Sequence, residues 1–387
     1  MSILGEILQV LMTAVVFVTA PCVNFITGLF PAQAPPLRLG AYYWDGWCIR
    51  QPQWTDRLLG EFADREPTWG WLSAGVENME MQIDLAADNG LSFFAFDWCY
   101  AKNEDESLQD FYNALNCAVD AFLLAGNNDR MEFCLMVCNG NQLALTEASW
   151  PDATACFMPY LTSDRALKVD GKPVIIFHSA QDASIESMDG MRRGVAYLRA
   201  QCAQAGLPGC YVIVCNTAGR DKAGEVPALT FNWALRAVQN GFIGFDAVTG
   251  YNYNRGTNPP QEGVFEYPFQ RLSADYEKVW KMQARYCGQV KYMPVLNGGW
   301  DSRPWEGDGP WPNDLPPHCY SPDRTPEDFY NHVKNAAQWV NDNPRVSAGG
   351  LAVFYAWNEM GEGGYILPTK GEGDAVLKAI REAVDSR

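Results

Sequence analysis

The feature that most constrains the fold is an alternation, repeated eight times, of a short apolar run with a longer segment of helical pattern. Short continuous apolar runs bounded by turn residues are typical of strands buried on both faces of a parallel sheet. The runs are LRLGAYYW (37–44), LSFFAFDW (91–98), MEFCLMVCNGN (131–141), KPVIIFHS (172–179), CYVIVCN (210–216), FDAVTGYNYN (245–254), VKYMPVLNGGWDSRPW (290–305) and LAVFYAWNEMGEGGYILP (351–368).

The segments between the runs predict helices. Residues 77–89 place apolar side chains on one stripe, and Gly90 follows as a stop signal. Further helices are predicted over 108–124, 188–205, 269–286, 326–341 and 373–384, with a poorly marked one over 223–238. Eight strands alternating with helices predict an α/β fold, a single-domain (β/α)8 TIM barrel over residues 35–387. An open doubly wound sheet competes, but no G-x-G-x-x-G follows the first run.

The first 34 residues differ in character from the rest of the chain. Glu6 is their only charge, and an apolar run extends from Ile7 to Val18. Ala32-Gln33-Ala34 resembles an export cleavage site, which predicts a secreted or periplasmic protein, although a positive N-terminal region is missing. The alternatives are a cytoplasmic protein and an apolar helix that stays attached to the barrel. Pro21 argues against a stable membrane span.

Polar and aromatic residues end most of the runs. The carboxyl ends of barrel strands meet at one rim, where the active sites of such barrels lie, so these side chains are predicted to converge. We expect the following residues to bind substrate: Asp45, Trp47, Asp97, Trp98, Asn139, His178, Asn216, Tyr251, Tyr253, Trp300, Asp301, Arg303 and Asn358.

The last run adds two acids to this rim. Glu359 and Glu362 follow the apolar stretch 351–356 and stand among three glycines. Fully extended, the two residues would be about 10 Å apart, but a turn would bring their carboxyl groups together. The alternative is that the two glutamates only begin the final helix, where acids favour the positive end of the helix dipole.

Composition excludes several classes of function. A net charge of −17 argues against a nucleic-acid partner, because binding phosphates needs a basic surface. With only three histidines, a Ser-His-Asp triad or a multi-histidine metal centre has little material, and no phosphate-binding G-x-x-x-x-G-K-[ST] loop exists. We therefore predict no metal and no cofactor.

The 12 cysteines suggest disulfide bonds only at first count. Several lie within strand-like runs, and Cys134 and Cys138 would be about 13 Å apart on one strand, too far to bridge each other. No Cys-x-x-Cys pair is present, so structural zinc is not expected. Most of these thiols are predicted to pack in the core, with one or two bridges left open.

Carboxylates and aromatics at the mouth of a barrel are the material of a glycosidase. One acid protonates the leaving oxygen and the other acts on the opposite face of the sugar. Aromatic residues make up 13% of the chain, including 14 tryptophans, and indole faces stack well on sugar rings. A carbohydrate is therefore the predicted substrate.

Three segments resemble one family. AWNEMGEGGYILP is similar to the asparagine-glutamate-x-x-glutamate signature of glycoside hydrolase family 99 and of the related WbsX-like glycan-processing proteins. MEMQIDLAADNGLSFFAFDW and GGWDSRPW resemble their second-strand and seventh-strand segments in the same order. The resemblance implies a (β/α)8 barrel acting on glycans, in the characterised hydrolases on internal α-mannoside bonds.

The resemblance also implies roles for the two glutamates. Glu359 would remove the proton of the sugar 2-hydroxyl, and Glu362 would protonate the leaving oxygen, in a retaining reaction through a 1,2-anhydro sugar. Met360 and Gly361 depart from the mannosidase pattern, which bears on the substrate more than on the reaction. We predict a glycoside hydrolase cleaving a polysaccharide or glycan. The alternatives are a non-catalytic carbohydrate-binding barrel and a glycosyltransferase of polysaccharide assembly.

Overall fold

A computed structural model describes nine ranges of the chain. They are residues 32–50, 53–102, 106–140, 143–180, 185–215, 230–253, 265–286, 288–305 and 319–386. The predicted export or anchoring segment therefore lies almost wholly outside the described residues. No helix within these ranges combines the length and the hydropathy that crossing a bilayer requires.

Eight parallel strands form the centre of the molecule. Each strand pairs with the next in chain order, and the last pairs with the first, as the registers Arg38↔Leu351 and Gly40↔Phe93 illustrate. The strands are β1 (Arg38–Tyr43), β2 (Phe93–Trp98), β3 (Glu132–Val137), β4 (Lys172–Phe177), β5 (Tyr211–Cys215), β6 (Ala247–Thr249), β7 (Lys291–Tyr292 and Val295–Asn297) and β8 (Leu351–Tyr355).

The seventh strand is divided into two pieces, and through them the sheet closes. Lys291–Tyr292 pairs with β6, whereas Val295–Asn297 pairs with β8. Met293 between them donates its N–H to Val248 at 2.9 Å, and Pro294, which has no N–H, accepts from Val353 at 2.9 Å. The predicted (β/α)8 barrel is confirmed.

Helices surround the barrel. They are α1 (Asp56–Gly60), α2 (Val76–Asp88), α3 (Glu106–Ala114), α4 (Cys117–Leu124), α5 (Trp150–Leu161), α6 (Ile185–Gln204), α7 (Thr230–Ile243), α8 (Phe269–Tyr286), α9 (Pro326–Asp342) and α10 (Ala375–Asp385).

The helix predictions need correction at several places. The sequence pattern missed α5, which contains Pro151 in its first turn and Pro159 in its interior. Proline is tolerated in a first turn but disfavoured inside a helix, so its presence hid the helical pattern. The helix predicted over 223–238 is described from Thr230 to Ile243, and the one over 108–124 consists of α3 and α4.

The two faces of each strand explain which residues can reach the rim. On β2, where every residue is buried, successive side chains point to opposite sides. Asp97 meets Tyr251, which follows β6, so it points into the barrel, whereas Trp98 packs edge-on against Phe157 of α5 with ring centroids 5.4 Å apart. Alternate side chains of each strand thus pack outward against the helices, and the others point into the interior of the barrel.

Cysteines are used mainly in packing. Cys134, Cys202, Cys210 and Cys215 are buried in the core, and Cys134 lies on β3 as the run predicted. Every cysteine whose side chain is described is a free thiol: Cys48, Cys99, Cys117, Cys134, Cys138, Cys156, Cys202, Cys210 and Cys215.

Candidate active site

The chain leaves β8 through a short hairpin that carries both glutamates. Asn358–Glu359 pairs antiparallel with Gly364–Tyr365, and the 3₁₀ turn Met360–Glu362 connects the two pieces. Gly363 ends the turn at φ +70°, in the left-handed region that glycine adopts at little cost. The hairpin brings Glu359 and Glu362 to the same end of the barrel, and the alternative that they begin the final helix is wrong, because α10 starts at Ala375.

Glu359 is a buried carboxyl that lacks a cationic partner among the described side chains. It is 5% exposed, and its Oε1 accepts a hydrogen bond from the Tyr251 hydroxyl at 2.9 Å. Burial raises the pKa of Glu359 to about 7, an effect that the Tyr251 hydrogen bond partly offsets. Near neutral pH this side chain can therefore accept or release a proton.

Glu362 is half-buried three residues further on. The Tyr355 hydroxyl donates to its Oε2, and the Tyr355 ring lies 6.4 Å from the half-buried Trp300 ring. Burial raises the pKa of Glu362 to about 8, so the protonated form predominates at pH 7. A carboxyl that keeps its proton at neutral pH can act as a general acid.

Two tyrosines connect the two acids. The rings of Tyr251 and Tyr355 lie edge-on with centroids 5.0 Å apart, while their hydroxyls contact Glu359 and Glu362 respectively. The Tyr251 hydroxyl oxygen also lies 2.7 Å from Asp97 Oδ2. We call this set of Asp97, Tyr251, Tyr355, Glu359 and Glu362 the rim acid cluster.

His178 lies against the rim acid cluster. Its ring is edge-on to Tyr251 with centroids 5.3 Å apart, and the side chain is half-buried. Burial lowers the pKa of His178, so its imidazole is neutral near pH 7 and can donate or accept one hydrogen bond. This placement suits a residue that positions a sugar hydroxyl.

Asp301 and Arg303 lie beside the hairpin but pair with each other. Arg303 Nε lies 2.7 Å from Asp301 Oδ1, and Arg65 binds the other carboxylate oxygen. Burial alone would raise the pKa of Asp301, but the hydrogen bonds and charges of Arg303 and Arg65 lower it below its ordinary value. We call Arg65, Asp301 and Arg303 the arginine-aspartate cluster.

The arginine-aspartate cluster holds the acid-bearing turn. Arg65 Nη1 donates to the carbonyl oxygens of Asp301 and Met360, each at 3.0 Å, and the Asp301 N–H donates to the Glu362 carbonyl. Its contacts give Asp301 a positioning function. No sequence pattern indicated Arg65, which comes from a 3₁₀ helix far from every run.

Two of the predicted asparagines fix loops. Asn358 accepts from the Trp44 N–H at 2.8 Å and donates to the Trp44 carbonyl at 2.7 Å. Asn139 makes the same pair of bonds with Ser179, at 2.9 and 2.8 Å. These bonds use the oxygen and one N–H of each amide, so both side chains hold loops at the rim in place.

Three of the predicted aromatic platforms are packed inside the protein. Trp47 is fully buried and donates to the Asn358 carbonyl at 2.7 Å, and Trp98 contacts α5 as described above. The Tyr253 ring lies 4.8 Å from that of Tyr276. Their faces are covered by neighbouring side chains, whereas Trp300 and Tyr251 of the same predicted set keep partial exposure. Asn216 lies outside the described residues.

Asp45 contacts the start of α4. It is buried, and its Oδ2 accepts from the Ala118 N–H in the first turn of α4. Burial raises the pKa of Asp45 to about 7, although the hydrogen bond from the Ala118 N–H opposes the rise. The ligand atoms of Asp45, Cys48 and Cys117 lie within 4.8 Å of one another, as metal ligands do. The Cys48 thiol donates to the Ala114 carbonyl at 2.9 Å, so this thiol already has a hydrogen-bond partner within the protein.

A family comparison accounts for most of this sequence. The sequence model of the family described as "Glycosyltransferase WbsX" matches residues 73–380, which include the second to eighth strands and the acid hairpin. The chain belongs to the WbsX family. The resemblance of its three segments to WbsX-like proteins is thereby confirmed. No curated protein sequence matches the chain.

Solved structures share the architecture at low sequence identity. A "Glycoside hydrolase-like protein" is 16% identical with a TM-score of 0.59, covering 92% of this chain and 97% of that one. The GH99 endo-alpha-mannosidase from Bacteroides thetaiotaomicron is 12% identical with a TM-score of 0.53, covering 90% of this chain and 97% of that one. At these identities the similarity shows that this WbsX chain has their barrel fold.

The two unusual residues between the acids are explained by packing. A Cβ atom on Gly361 would lie 2.4 Å from the Trp305 ring, and Met360 is fully buried with its carbonyl bound by Arg65. In this WbsX chain, Trp305 therefore occupies the space that a side chain at position 361 would need.

Proposed function

We propose that this WbsX-family protein is a glycoside hydrolase that cleaves a glycosidic bond within a glycan or polysaccharide. The observation that carries the proposal is the rim acid cluster. It joins two neighbouring carboxyl groups whose pKa values are raised by burial, to about 7 for Glu359 and about 8 for Glu362. Groups that titrate near the working pH are those best suited to move protons during catalysis.

The proposed reaction uses the two acids in different protonation states. Glu362, protonated, transfers its proton to the leaving oxygen as the bond from that oxygen to C1 of the sugar breaks. Glu359, ionised, takes the proton of the neighbouring 2-hydroxyl, whose oxygen forms a bond to C1. The resulting 1,2-anhydro sugar is opened by water with the roles of the acids reversed, which retains the configuration at C1.

The surroundings of Glu362 support its role as the acid. A general acid must hold its proton at the working pH, and burial raises the pKa of Glu362 to about 8. Glu362 is also the more exposed of the two, so a bulky leaving sugar can approach its carboxyl group. Trp300 at the edge of the site would stack on a neighbouring sugar ring, as indole faces commonly do.

Glycosyl transfer is a second candidate, because the matching family is described as a glycosyltransferase. A transferase would use an activated sugar, commonly a nucleotide diphosphate sugar held through a metal ion. The sequence contains no Asp-x-Asp pair for such a metal. Hydrolysis needs only the two carboxyl groups and water, so we favour it.

The test is a screen of the purified protein against a panel of glycans, including α-mannosides, with products identified by mass. On a cleaved substrate, Glu359→Gln and Glu362→Gln should each lower kcat by at least about 10²-fold, the usual contribution of a general acid or base. Asp385→Asn, on the distant helix α10, is the matched control and should retain full activity.

Three results would contradict the assignment. Wild-type turnover in both glutamine variants would show that the acids are not catalytic. Release of free nucleotide from a nucleotide diphosphate sugar, with no glycan cleavage, would favour the transferase. Sugar binding without cleavage or transfer would point to a carbohydrate-binding barrel.

A further inference from the structure

Asp97 is a third buried carboxyl beside the catalytic candidates, and the proposed reaction gives it no role. It ends β2 with 6% of its surface exposed. Its Oδ2 lies 2.7 Å from the Tyr251 hydroxyl oxygen, which lies 2.9 Å from Glu359 Oε1. One phenol oxygen thus contacts two carboxyl groups.

Counting protons shows that these contacts need a second proton. A tyrosine hydroxyl has one proton and can donate one hydrogen bond, whereas an ionised carboxylate can only accept. If Asp97 and Glu359 were both ionised, one of them would face a lone pair of the phenol oxygen with no proton between. Both short contacts are satisfied when one carboxyl group is protonated and donates to Tyr251.

The other oxygen of Asp97 decides which carboxyl group carries this proton. Asp97 Oδ1 is buried and has no hydrogen-bond partner among the described residues. An ionised carboxylate oxygen without a partner is far more costly to bury than the carbonyl oxygen of a neutral acid. The proton therefore belongs on Asp97, and the Tyr251 proton points to Glu359.

The charged and titratable surroundings of Asp97 act in the same direction. Cys138 after β3, Glu359 and Glu362 after β8, and Cys215 at the end of β5 face it and add no positive charge. Burial is the largest cause that raises the pKa of Asp97 well above its ordinary value, and the Tyr251 hydrogen bond only partly opposes it. His178, the histidine that packs on Tyr251, is neutral near pH 7.

We propose that Asp97 is a neutral carboxylic acid that donates its proton to the Tyr251 oxygen and so directs the Tyr251 hydroxyl at Glu359. The inference rests on the proposed function in naming Glu359 as the base. Asp97 is then a positioning residue. It fixes the phenol proton on Glu359 Oε1 and leaves the second oxygen of Glu359 to take the proton of the sugar hydroxyl.

Kinetics distinguish a neutral Asp97 from an ionised one. Asp97→Asn keeps the shape and a donor without adding charge, so the quantity to compare is the pH at which kcat/KM falls on the acidic side. The acidic limb of the pH profile of kcat/KM, which reports Glu359, should lie within about 0.3 pH unit of its wild-type position. If Asp97 were ionised, removing its charge would move that limb down by about two pH units, for charges about 6 Å apart at an effective dielectric constant of about 20. That shift would overturn the proposal.

A second substitution tests the positioning role. Asp97→Leu removes the donor, so we expect its kcat/KM to lie at least about tenfold below that of Asp97→Asn, which keeps a donor. Equal activity in the Leu and wild-type proteins would show that the Tyr251 hydroxyl needs no guidance. Tyr251→Phe should move the acidic limb to higher pH, because its hydrogen bond lowers the pKa of Glu359.

Infrared spectroscopy of the full chain answers the proton question without activity. At pH 7 the difference spectrum of wild type minus Asp97→Asn should contain the C=O stretch of a protonated carboxyl group. The control Asp385→Asn removes a surface carboxylate paired with Arg381 and should show a carboxylate band instead. A carboxylate band for Asp97 would overturn the inference. If no glycan is cleaved, the proposed function fails while this measurement still decides the state of Asp97.

Discussion

Two sets of carboxyl groups lie next to each other at the rim of the barrel, and their environments are opposite. In the arginine-aspartate cluster, Asp301 is bound by two guanidinium groups, and its pKa is lowered. In the rim acid cluster, the hydrogen bonds that Glu359 and Glu362 receive from the described part of the chain come from tyrosine hydroxyls, and their pKa values are raised to about 7 and about 8.

This difference separates support from reactivity. A compensated carboxylate stays ionised at every ordinary pH and contributes hydrogen bonds with fixed geometry. A buried carboxyl group without a counter-charge has two protonation states of similar free energy near pH 7, so it can exchange protons. The supporting set also serves the reactive one, since Arg65 holds both Asp301 and the carbonyl of Met360 between the two acids.

The largest expected effect on stability comes from removing the carboxylate that compensates the charge of Arg65. Asp301→Asn would leave the Arg65 guanidinium, whose side chain is 8% exposed, without its buried carboxylate. Loss of one partner of a buried ion pair typically lowers the free energy of unfolding by about 3–5 kcal/mol. Urea unfolding measures it, with Asp385→Asn as a surface control expected to cost at most about 0.5 kcal/mol. A cost below about 1 kcal/mol for Asp301→Asn would show that the two clusters do not differ in compensation.

A smaller effect is expected where the two clusters meet. Gly361→Ala would place a methyl group 2.4 Å from the Trp305 ring, and we expect overpacking to cost about 1–3 kcal/mol in unfolding free energy. Gly60→Ala is the control, because no atom lies within 4 Å of its added Cβ. Equal stability of the two variants would mean that Trp305 moves aside freely. Activity in Gly361→Ala should fall more than stability, since the turn that carries Glu362 must shift.

The smallest effects are opposite pH dependences of stability. Because the folded-state pKa values of Glu359 and Glu362 are raised, their contribution is fully present below the ordinary pKa of about 4.3 and is lost as pH rises through about 7 to 8. The lowered pKa of Asp301 gives a contribution present above about 3.9 and lost as pH falls through its folded value.

Urea unfolding midpoints at pH 3, 5 and 8 would measure both pH dependences of stability. Between pH 5 and pH 8, the double variant Glu359→Gln/Glu362→Gln should lose less stability than the wild type. Between pH 5 and pH 3, Asp301→Asn should lose less. Identical pH profiles in all three proteins would remove the electrostatic distinction between the clusters.

The sequence alone predicted the barrel, because strand-like runs and helical stripes are set by local patterns of side chains. It also predicted that Glu359 and Glu362 meet, since three glycines beside two acids favour a tight turn. It missed α5, whose prolines disguise a helix, and could not show that β7 is divided at Met293-Pro294.

Only the tertiary structure decided what each strand-end residue contacts. Asp97 and Asp301 are alike in sequence, both acidic residues near the end of a strand-like run, yet one shares a tyrosine with Glu359 and the other binds Arg65. Arg65 is 236 residues from Asp301 in the chain, and Tyr251 is 154 from Asp97. A residue type fixes which charges and protons are available, whereas the pKa that governs their use depends on burial and on neighbours that only folding brings together.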